Sequence, residues 1–376
     1  MGPVKVPANL PELVRAAFNR ARASGDVHFF PTQVTLVNVN SVPFQLRFSP
    51  ALANKPSGPQ PPAPSTDSVP TLSSPPKDPE PKKPTPKPFF DPFDNPPPSM
   101  LITPLTPSHN LVLNKFAIVP EHFILATQSF KPQTHLLEPA DLQAAYACIE
   151  AYHADTPATT STDEDGAPTQ THTTTTQERE GEQSLYVFFN SGPASGSSQP
   201  HRHIQLLPVA RMREGLGGDE AAAWEVLAGS LVNEEVRGRL PFAAFVERIG
   251  QGSGVDLMEI YLRLYRRVCE AVFGGGEGLG EGVVNGGEAK VDYNLAMTRE
   301  VMVIMPRVVE GAAVTVPGEG GARRGVGKLA LNGTVLAGTA LVKTQAEWEA
   351  LREEPEQLVE IMGRIGVPQV KAPPPV

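Results

Sequence analysis

The sequence of 376 residues has few cysteines, no long apolar run and fewer basic than acidic side chains. Its two cysteines, Cys148 and Cys269, lie far apart, which excludes a disulfide framework and a cysteine-rich zinc site. The net charge of −9 argues against a general nucleic-acid binder, because such proteins need a basic surface. No stretch approaches the roughly 20 apolar residues of a membrane helix, and the N-terminus has no apolar secretory signal. We therefore expect a cytoplasmic protein, with the nucleus as a second compartment, that binds neither membrane nor nucleic acid.

Proline and glycine are abundant, and they are concentrated in a few segments. Of the 43 residues in 56–98, 17 are proline, which removes backbone donors and favours extended chain. Residues 154–183 contain ten threonines and many charges without an apolar face. We predict that both segments are long disordered insertions and that 274–290 is a glycine-rich linker. We also expect deletion of 60–95 to be tolerated.

The remaining segments alternate between helical and strand-like patterns. Apolar spacing predicts helices over the first 25 residues and over 142–152, 221–231, 257–273 and 348–362. Alternation and β-branched residues predict strands over 33–48, 111–119, 122–128, 185–190, 299–305 and 335–343. This pattern favours an α+β fold with an N-terminal region, 1–215, and a C-terminal region, 216–376.

One short segment combines several groups that could carry chemistry. A predicted strand ends at Asn190, and a glycine- and serine-rich loop follows, whose small residues leave backbone N–H groups free to approach an anion. After the loop, His201, His203 and Gln205 occupy alternate positions. In a strand this spacing places the three side chains on one face. The segment is therefore the candidate active site.

The residues alone leave the role of the two histidines open. A histidine that faces a phosphate can transfer a proton, bind a metal or attack phosphorus. Zinc would need a third or fourth ligand, and the other histidines lack clustered spacing. Two structural histidines on a half-buried strand are a further alternative. The glycine-rich linker at 274–290 contains no GxGxxG match, so a dinucleotide-binding fingerprint is absent. Gly327-Lys328 is not part of a P-loop, because Leu329 follows where a P-loop has serine or threonine.

The pattern Gly196-Ser197-Ser198-x-Pro-His-x-His-x-Gln resembles the signature of the histidine-triad superfamily, in the branch where glutamine replaces the third histidine. That branch contains the galactose-1-phosphate uridylyltransferases and the fungal-type diadenosine tetraphosphate phosphorylases, which are also called ATP adenylyltransferases. The resemblance to the phosphorylases is longer. It covers residues 43–56, 113–130, 185–209 and 292–307.

The resemblance implies a histidine-triad-like mixed or antiparallel sheet with flanking helices. It also implies that His203 is the nucleophile, which attacks the α-phosphorus of diadenosine tetraphosphate and forms a histidine–AMP intermediate. Inorganic phosphate would then release ADP, so that the products are ATP and ADP in a reversible reaction. Gln205 would donate to the transferred phosphoryl group, and His201 would orient the strand. We expect a monomer without a tightly bound cofactor, and Mg²⁺ bound with the nucleotide.

Further residues match the family pattern more weakly. The resemblance implies that Gly196, Ser197 and Ser198 hold phosphate oxygens, that Asn190 is a hydrogen-bonding partner near the site, and that Lys55 contacts distal phosphates. Lys115 is a second candidate lysine, and we expect a structural role for His122. Asn294 and Thr298 lie in a similar segment without an assigned role.

Two other functions remain as alternatives. A uridylyltransferase acting on sugar phosphates shares the motif, but this chain has Arg202 rather than proline between the histidines. A catalytically idle nucleotide-binding scaffold could recruit partners through the proline-rich segment. The intact His203 and Gln205 argue against that scaffold.

Overall fold

The computed structural model describes residues 4–54, 90–154, 184–250, 255–274 and 287–369. Most of the predicted proline-rich insertion, almost all of the threonine-rich insertion and most of the glycine-rich linker lie outside these ranges, and so does Lys55. The described residues form the predicted α+β fold, with a large antiparallel sheet and flanking helices.

The described helices and strands account for most of the described residues. The helices are α1 (Leu10–Ser24), α2 (Pro139–Ala154), α3 (Val209–Met212), α4 (Gly218–Ala223), α5 (Leu227–Ser230), α6 (Glu234–Arg239), α7 (Leu257–Phe273), α8 (Gln345–Glu353) and α9 (Glu356–Ile365). The strands are β1 (His28–Phe29), β2 (Gln33–Val39), β3 (Val42–Phe48), β4 (Leu101–Leu105), β5 (His109–Leu113), β6 (Phe116–Ala117), β7 (Phe123–Thr127), β8 (Leu185–Ser191), β9 (His203–Pro208), β10 (Phe245–Arg248), β11 (Tyr293–Met297), β12 (Val301–Pro306), β13 (Gly311–Pro317), β14 (Arg323–Ala330) and β15 (Thr339–Val342). Short 3-10 turns occupy Pro50–Asn54, Pro193–Ser195, Glu319–Gly321 and Gly333–Ala337.

Eight strands form one sheet in the order β10-β12-β11-β8-β9-β7-β5-β4, and every neighbouring pair is antiparallel. The sheet draws strands from both predicted regions. At the junction, Asn294 of β11 lies opposite Asn190 of β8. The two regions therefore share one sheet and the cores packed on it.

The two faces of this sheet are covered differently. Helices α1, α2 and α7 bury one face together with residues such as Leu125, Ile204 and Leu295. On the other face, one large cluster around Trp224 includes the smaller β15-β3-β2 sheet, and a small cluster lies around Phe93. The clusters leave β9 between them.

The register across β9 shows how the two clusters flank the predicted site. Gln205 of β9 pairs with Ile124 in the small cluster on one side and with Phe188 in the large cluster on the other. Directly opposed residues share a face of a sheet. The polar side chains of β9 therefore lie at the seam between two apolar packings.

Several predicted elements are confirmed. Helix α1 is capped by Gly25, which adopts the left-handed conformation and donates its N–H to the carbonyls of Ala21 and Arg22. The strand pattern at 33–48 is a hairpin, β2 and β3, with Asn40 and Ser41 at positive φ in the turn. Helix α7 matches the predicted range of 257–273.

Other predicted elements are interrupted. The predicted strand over 111–119 stops at Leu113, because the side chain of Asn114 accepts the N–H of Phe116 and turns the chain. The predicted helix over 221–231 is two short helices, α4 and α5, separated by fully buried Trp224. The predicted C-terminal helix breaks before Pro355 into α8 and α9. The first part of the predicted strand over 335–343 is a 3-10 turn.

The prediction that the whole of 56–98 is an insertion outside the core is wrong for its last residues. Phe93 is only 6% exposed, and it packs on Val112 of β5 and on Ile124 and Ala126 of β7. A phenylalanine in a proline-rich segment can bury its ring even where the backbone forms no regular element. Residues 90–98 therefore belong to the folded part of the chain.

The two cysteines are free and buried, in α2 and α7. Burial raises the pKa of both thiols. Among the described helices, none has the length and apolar character needed to span a bilayer.

Candidate active site

Glycines shape the loop between β8 and β9 because other parts of the chain approach it closely. Gly192 and Gly196 have φ of +82° and +80°, which disfavours other residues. A Cβ on Gly192 would lie 1.9 Å from a carboxylate oxygen of Asp292, and one on Gly196 would lie 2.9 Å from the Cβ of Asn332. The glycine positions therefore permit the C-terminal region to pack directly against this loop.

Two side chains hold the loop, one from Asp292 just before β11 and one from Asn294 within it. The backbone N–H of Ala194 donates to Asp292 Oδ2 at 2.7 Å. Asn294 Nδ2 donates to the carbonyl of Ser195 at 2.9 Å and to Asn190 Oδ1 at 2.8 Å. Burial raises the pKa of Asp292. Asn294, which the sequence left without a role, is thus a central support of the loop.

Asn190 lies in the predicted neighbourhood and links three parts of the chain. Its Oδ1 accepts from Asn294 and from the N–H of Gly333, the latter at 2.9 Å. Asn294 in turn accepts from the buried guanidinium of Arg307, which also donates to the carbonyl of Leu331 at 2.9 Å. The side-chain oxygen of Asn190 is therefore engaged within the protein.

The imidazole of His203 is buried and held in one tautomer. Its Nδ1 lies 2.7 Å from the carbonyl oxygen of His201, which only accepts, so Nδ1 carries the proton and Nε2 carries the lone pair. Among the described residues, Nε2 has no hydrogen-bond partner. The residue is 3% exposed, and burial lowers the pKa of His203 to about 4. The ring is thus neutral near pH 7, with a nucleophilic nitrogen.

Gln133 fixes the backbone of His203, and the sequence reasoning missed it. Its Oε1 accepts the N–H of His203 at 2.7 Å. Its Nε2 donates to the carbonyls of His203 and Asn190, at 3.1 and 2.9 Å. Gln133 is 3% exposed and joins the ends of β8 and β9. It lies between elements without a motif, so no local pattern identified it.

His201, for which the resemblance implies an orienting role, has both ring nitrogens in contact with other residues. Its Nε2 lies 2.8 Å from the carbonyl oxygen of Thr127, and its Nδ1 lies 2.7 Å from Asp91 Oδ2. The hydroxyl of Thr127 also lies 2.9 Å from Nε2. Both nitrogens are therefore engaged within the protein, and neither is free to attack phosphorus. Asp91 is a second residue that sequence reasoning missed, because it lies within the predicted insertion.

The side chain of Gln205, in β9, contacts the imidazole of His122, which lies directly before β7. Gln205 Oε1 lies 2.7 Å from His122 Nε2, and Asn114 Nδ2 lies 3.1 Å from His122 Nδ1. An amide NH₂ only donates, so we assign the lone pair of His122 to Nδ1 and its proton to Nε2. This assignment leaves the NH₂ of Gln205 as a donor directed away from His122.

The remaining predicted site residues have only local contacts in the loop, are exposed, or lie outside the described residues. The N–H of Gly196 donates to the carbonyl of Pro193, and the hydroxyl of Ser197 donates to the carbonyl of Gln199, both at 3.3 Å. Ser198 is exposed. Lys55 is outside the described residues. In the described part of the chain, no group of three or more histidine, cysteine, aspartate or glutamate side chains could hold a metal ion.

Arg202, between the two histidines, anchors the start of β9 on its opposite side. Its Nη1 lies 2.9 Å from Glu138 Oε1 and 2.8 Å from Asp141 Oδ2, and the side chain is 1% exposed. Asp141 also lies 2.8 Å from His109 Nε2. Burial acts to raise the pKa of Asp141, but the hydrogen bond from His109 and the charge of Arg202 outweigh burial and lower it.

Comparison with known proteins gives matches along most of the chain. The family model for the Ap4A phosphorylase N-terminal domain matches residues 3–173 and 170–217. The model for the ATP adenylyltransferase C-terminal domain matches residues 238–368.

Two curated relatives come from Saccharomyces cerevisiae. Protein APA1 is 25% identical over 384 residues, which covers 99% of this chain and 98% of the relative. Diadenosine 5',5'''-P1,P4-tetraphosphate phosphorylase 2 is 27% identical over 297 residues, which covers 76% of this chain and 78% of the relative.

The solved structures show the same fold. The crystal structure of yeast Ap4A phosphorylase Apa2 is similar with a TM-score of 0.65 and 22% identity, covering 97% of this chain and all of that one. Crystal structures of Apa2 in complex with Ap4A and with AMP each match with a TM-score of 0.64 at 22% identity, covering 97–98% of this chain and 99–100% of theirs. The N-terminal family model alone covers more than half of the sequence, and the chain therefore belongs to the Ap4A phosphorylase family.

Proposed function

We propose that this protein converts diadenosine 5',5'''-tetraphosphate (Ap4A) and inorganic phosphate to ATP and ADP, reversibly, through a covalent AMP adduct on His203. The observation that carries the proposal is the buried imidazole whose Nδ1 donates to the carbonyl of His201, because this contact leaves Nε2 as the nucleophile. Family membership supports it, as do the name of one yeast relative and the Ap4A and AMP complexes of a structural neighbour.

The first half-reaction is a displacement at the α-phosphorus. The lone pair of His203 Nε2 forms the N–P bond while the bond from phosphorus to the bridging oxygen breaks, and ATP leaves. The imidazole gains positive charge in this step. The carbonyl of His201, 2.7 Å from Nδ1, stabilises that charge without a change of position.

The second half-reaction regenerates the nucleophile. An oxygen of inorganic phosphate attacks the phosphorus of the adduct, the P–N bond breaks, and the electron pair returns to Nε2 with release of ADP. The NH₂ of Gln205, directed by His122, would donate to a non-bridging oxygen in both steps, where charge is greatest. The hydroxyl and N–H groups of the Gly196–Ser198 turn are further donors in this proposal.

The substrate's polyphosphate carries several negative charges. We propose that Mg²⁺ binds with the nucleotide as part of the substrate, since phosphate oxygens are its preferred ligands. Lys55 remains the proposed contact for the distal phosphates. We further propose a cytoplasmic monomer whose ligands are diadenosine polyphosphates, ATP, ADP and phosphate, with no role for nucleic acid or a membrane.

Product analysis tests this function directly. Purified protein is incubated with Ap4A and Mg²⁺, with and without inorganic phosphate, and the nucleotides are separated by chromatography. We expect ATP and ADP only when phosphate is present, and a labelled AMP adduct when the reaction is quenched early. ATP and AMP without phosphate would mean that water is the acceptor. Turnover of UDP-glucose with a sugar phosphate, in place of Ap4A, would favour the uridylyltransferase alternative.

The His203→Ala variant tests the nucleophile. We expect it to form no adduct while its circular dichroism spectrum is unchanged. Adduct formation by this variant would contradict the assignment of His203, even if the overall reaction were confirmed.

A further inference from the structure

Phe93 covers the nucleophile on the face of the sheet that carries the site. Its ring centroid lies 5.0 Å from that of His203, with a 32° angle between the planes, and 5.7 Å from that of His201. Beneath it, Ile124 and Ala126 of β7 complete an apolar surface. One side of the His203 ring therefore contacts hydrocarbon rather than water.

A single carboxylate determines where Phe93 lies. Asp91 Oδ1 accepts the backbone N–H of Phe93 at 2.9 Å, which closes a tight turn. The other oxygen, Oδ2, contacts His201 Nδ1 at 2.7 Å. Since His201 is 1% exposed and fixed at its other nitrogen by Thr127, the turn is tied to a rigid part of the site.

The position of Phe93 affects which acceptor, phosphate or water, can attack the AMP adduct on His203. The AMP adduct on His203 can be attacked by an oxygen of phosphate, which breaks the P–N bond and gives ADP. It can also be attacked by water, which breaks the same bond and gives AMP and a proton. Water is far more abundant than phosphate, so phosphorolysis requires that water be kept from the adduct.

We propose that Phe93, positioned by Asp91, determines the acceptor by excluding water from the His203 adduct. The inference rests on the proposed function and deepens it. Phe93 touches the nucleophile and acts as a specificity residue. Asp91 touches only His201 and the turn, so it is a positioning residue.

The matched variants are Phe93→Ala and Phe90→Ala. Phe90 lies three residues away in the same segment, but it is 73% exposed, so its removal leaves the cover in place. The measurement is the ratio of AMP to ADP formed from Ap4A at a fixed phosphate concentration. We expect Phe93→Ala to raise this ratio at least about tenfold, and Phe90→Ala to leave it unchanged.

A second readout separates the cover from a merely structural role. Opening the cover hydrates His203, whose pKa also responds to the charges of His201 and of the Asp91 carboxylate. In Phe93→Ala the pKa of His203 should therefore rise from about 4 toward its ordinary value of about 6.5. The acid limb of adduct formation should move upward with it.

Two further variants keep the test decisive if Phe93→Ala does not fold. Phe93→Leu retains apolar bulk and should give an intermediate ratio, whereas Asp91→Ala should raise the ratio as Phe93→Ala does. An unchanged ratio in every folded variant, with ADP still formed by the unmodified protein, would overturn this inference alone. No ADP from the unmodified protein would instead contradict the proposed function.

Discussion

Asp91 Oδ2 and His201 Nδ1 lie 2.7 Å apart, although the two residues are separated by 110 positions in the chain. The contact joins the first histidine of the motif to the end of a proline-rich stretch. We therefore expect that any part of this stretch that can be deleted without loss of activity ends before residue 90.

Two deletions test that boundary. Removing 60–85 spares Asp91 and Phe93, and we expect phosphorolysis to remain close to that of the full chain. Removing 60–95, which the sequence alone led us to expect would be tolerated, also takes away both residues. We now expect kcat/KM to fall by at least about tenfold in this deletion, because the site loses its positioned cover. The measurement is steady-state release of ADP from Ap4A. Equal activity of the two proteins would show that Asp91 and Phe93 are dispensable.

The lowered pKa of His203 predicts how the rate of adduct formation depends on pH. The ring stays unprotonated down to about pH 4, so the rate of adduct formation should not fall between pH 7 and pH 5 on account of this group. Rapid-quench measurement of the adduct across pH 4–8 checks this. An acid limb centred near pH 6.5 would mean that the nucleophile is as hydrated as a free histidine.

The lowered pKa of His203 also makes the stability of the protein depend on pH. At pH values between about 4 and 6.5 the unfolded chain binds a proton at His203 that the folded protein does not. The free energy of unfolding should therefore decrease as the pH falls through this window, by up to about 3 kcal/mol from this residue. Urea unfolding at pH 7 and pH 4.5 should show a smaller decrease in His203→Ala.

Gln133 provides a test of backbone positioning. In Gln133→Ala the buried N–H of His203 and the carbonyls of His203 and Asn190 lose their partners, which should cost at least about 2 kcal/mol of stability. The matched control is Gln128→Ala, since that exposed glutamine donates to the carbonyl of His109 at 3.0 Å. Urea unfolding compares the two variants. A similar loss in both would contradict a special role for Gln133.

Arg202 tests the support behind the motif. Replacing it by methionine removes the cation paired with Asp141, which is 1% exposed, and should lower the free energy of unfolding by about 3–5 kcal/mol. Arg263→Met removes an exposed arginine that pairs with Glu247 and Glu259 and should cost at most about 1 kcal/mol. Comparable midpoints of urea unfolding for the two variants would count against this assignment.

The core of the site could be predicted from sequence because its spacing is local. His203 and Gln205 occupy alternate residues of β9, and alternation alone places them on one face of the strand, whereas His201 lies two residues before β9 in an isolated bridge with Pro132. Gln133 and Asp91 could not be predicted, because their partners are chosen by the packing of distant segments. The burial of Phe93 was not predicted, because its proline-rich surroundings indicated an insertion outside the core.

The fold shows the same division between local and distant determinants. Helix α1 has apolar spacing and a terminal glycine, both of which are local. The break at Trp224 depends on a core assembled from several strands, so the apolar spacing across it predicted a continuous helix. The two domain-sized regions remain a prediction at the level of the sequence.

Strand β8 pairs with β9 on one side and with β11 on the other, and all of its residues are buried. During synthesis β11 leaves the ribosome about a hundred residues after β8. Until then the main sheet ends at β8, with one row of backbone N–H and C=O groups unpaired. An N-terminal fragment ending near residue 217 would present that edge permanently and would be prone to aggregate through it.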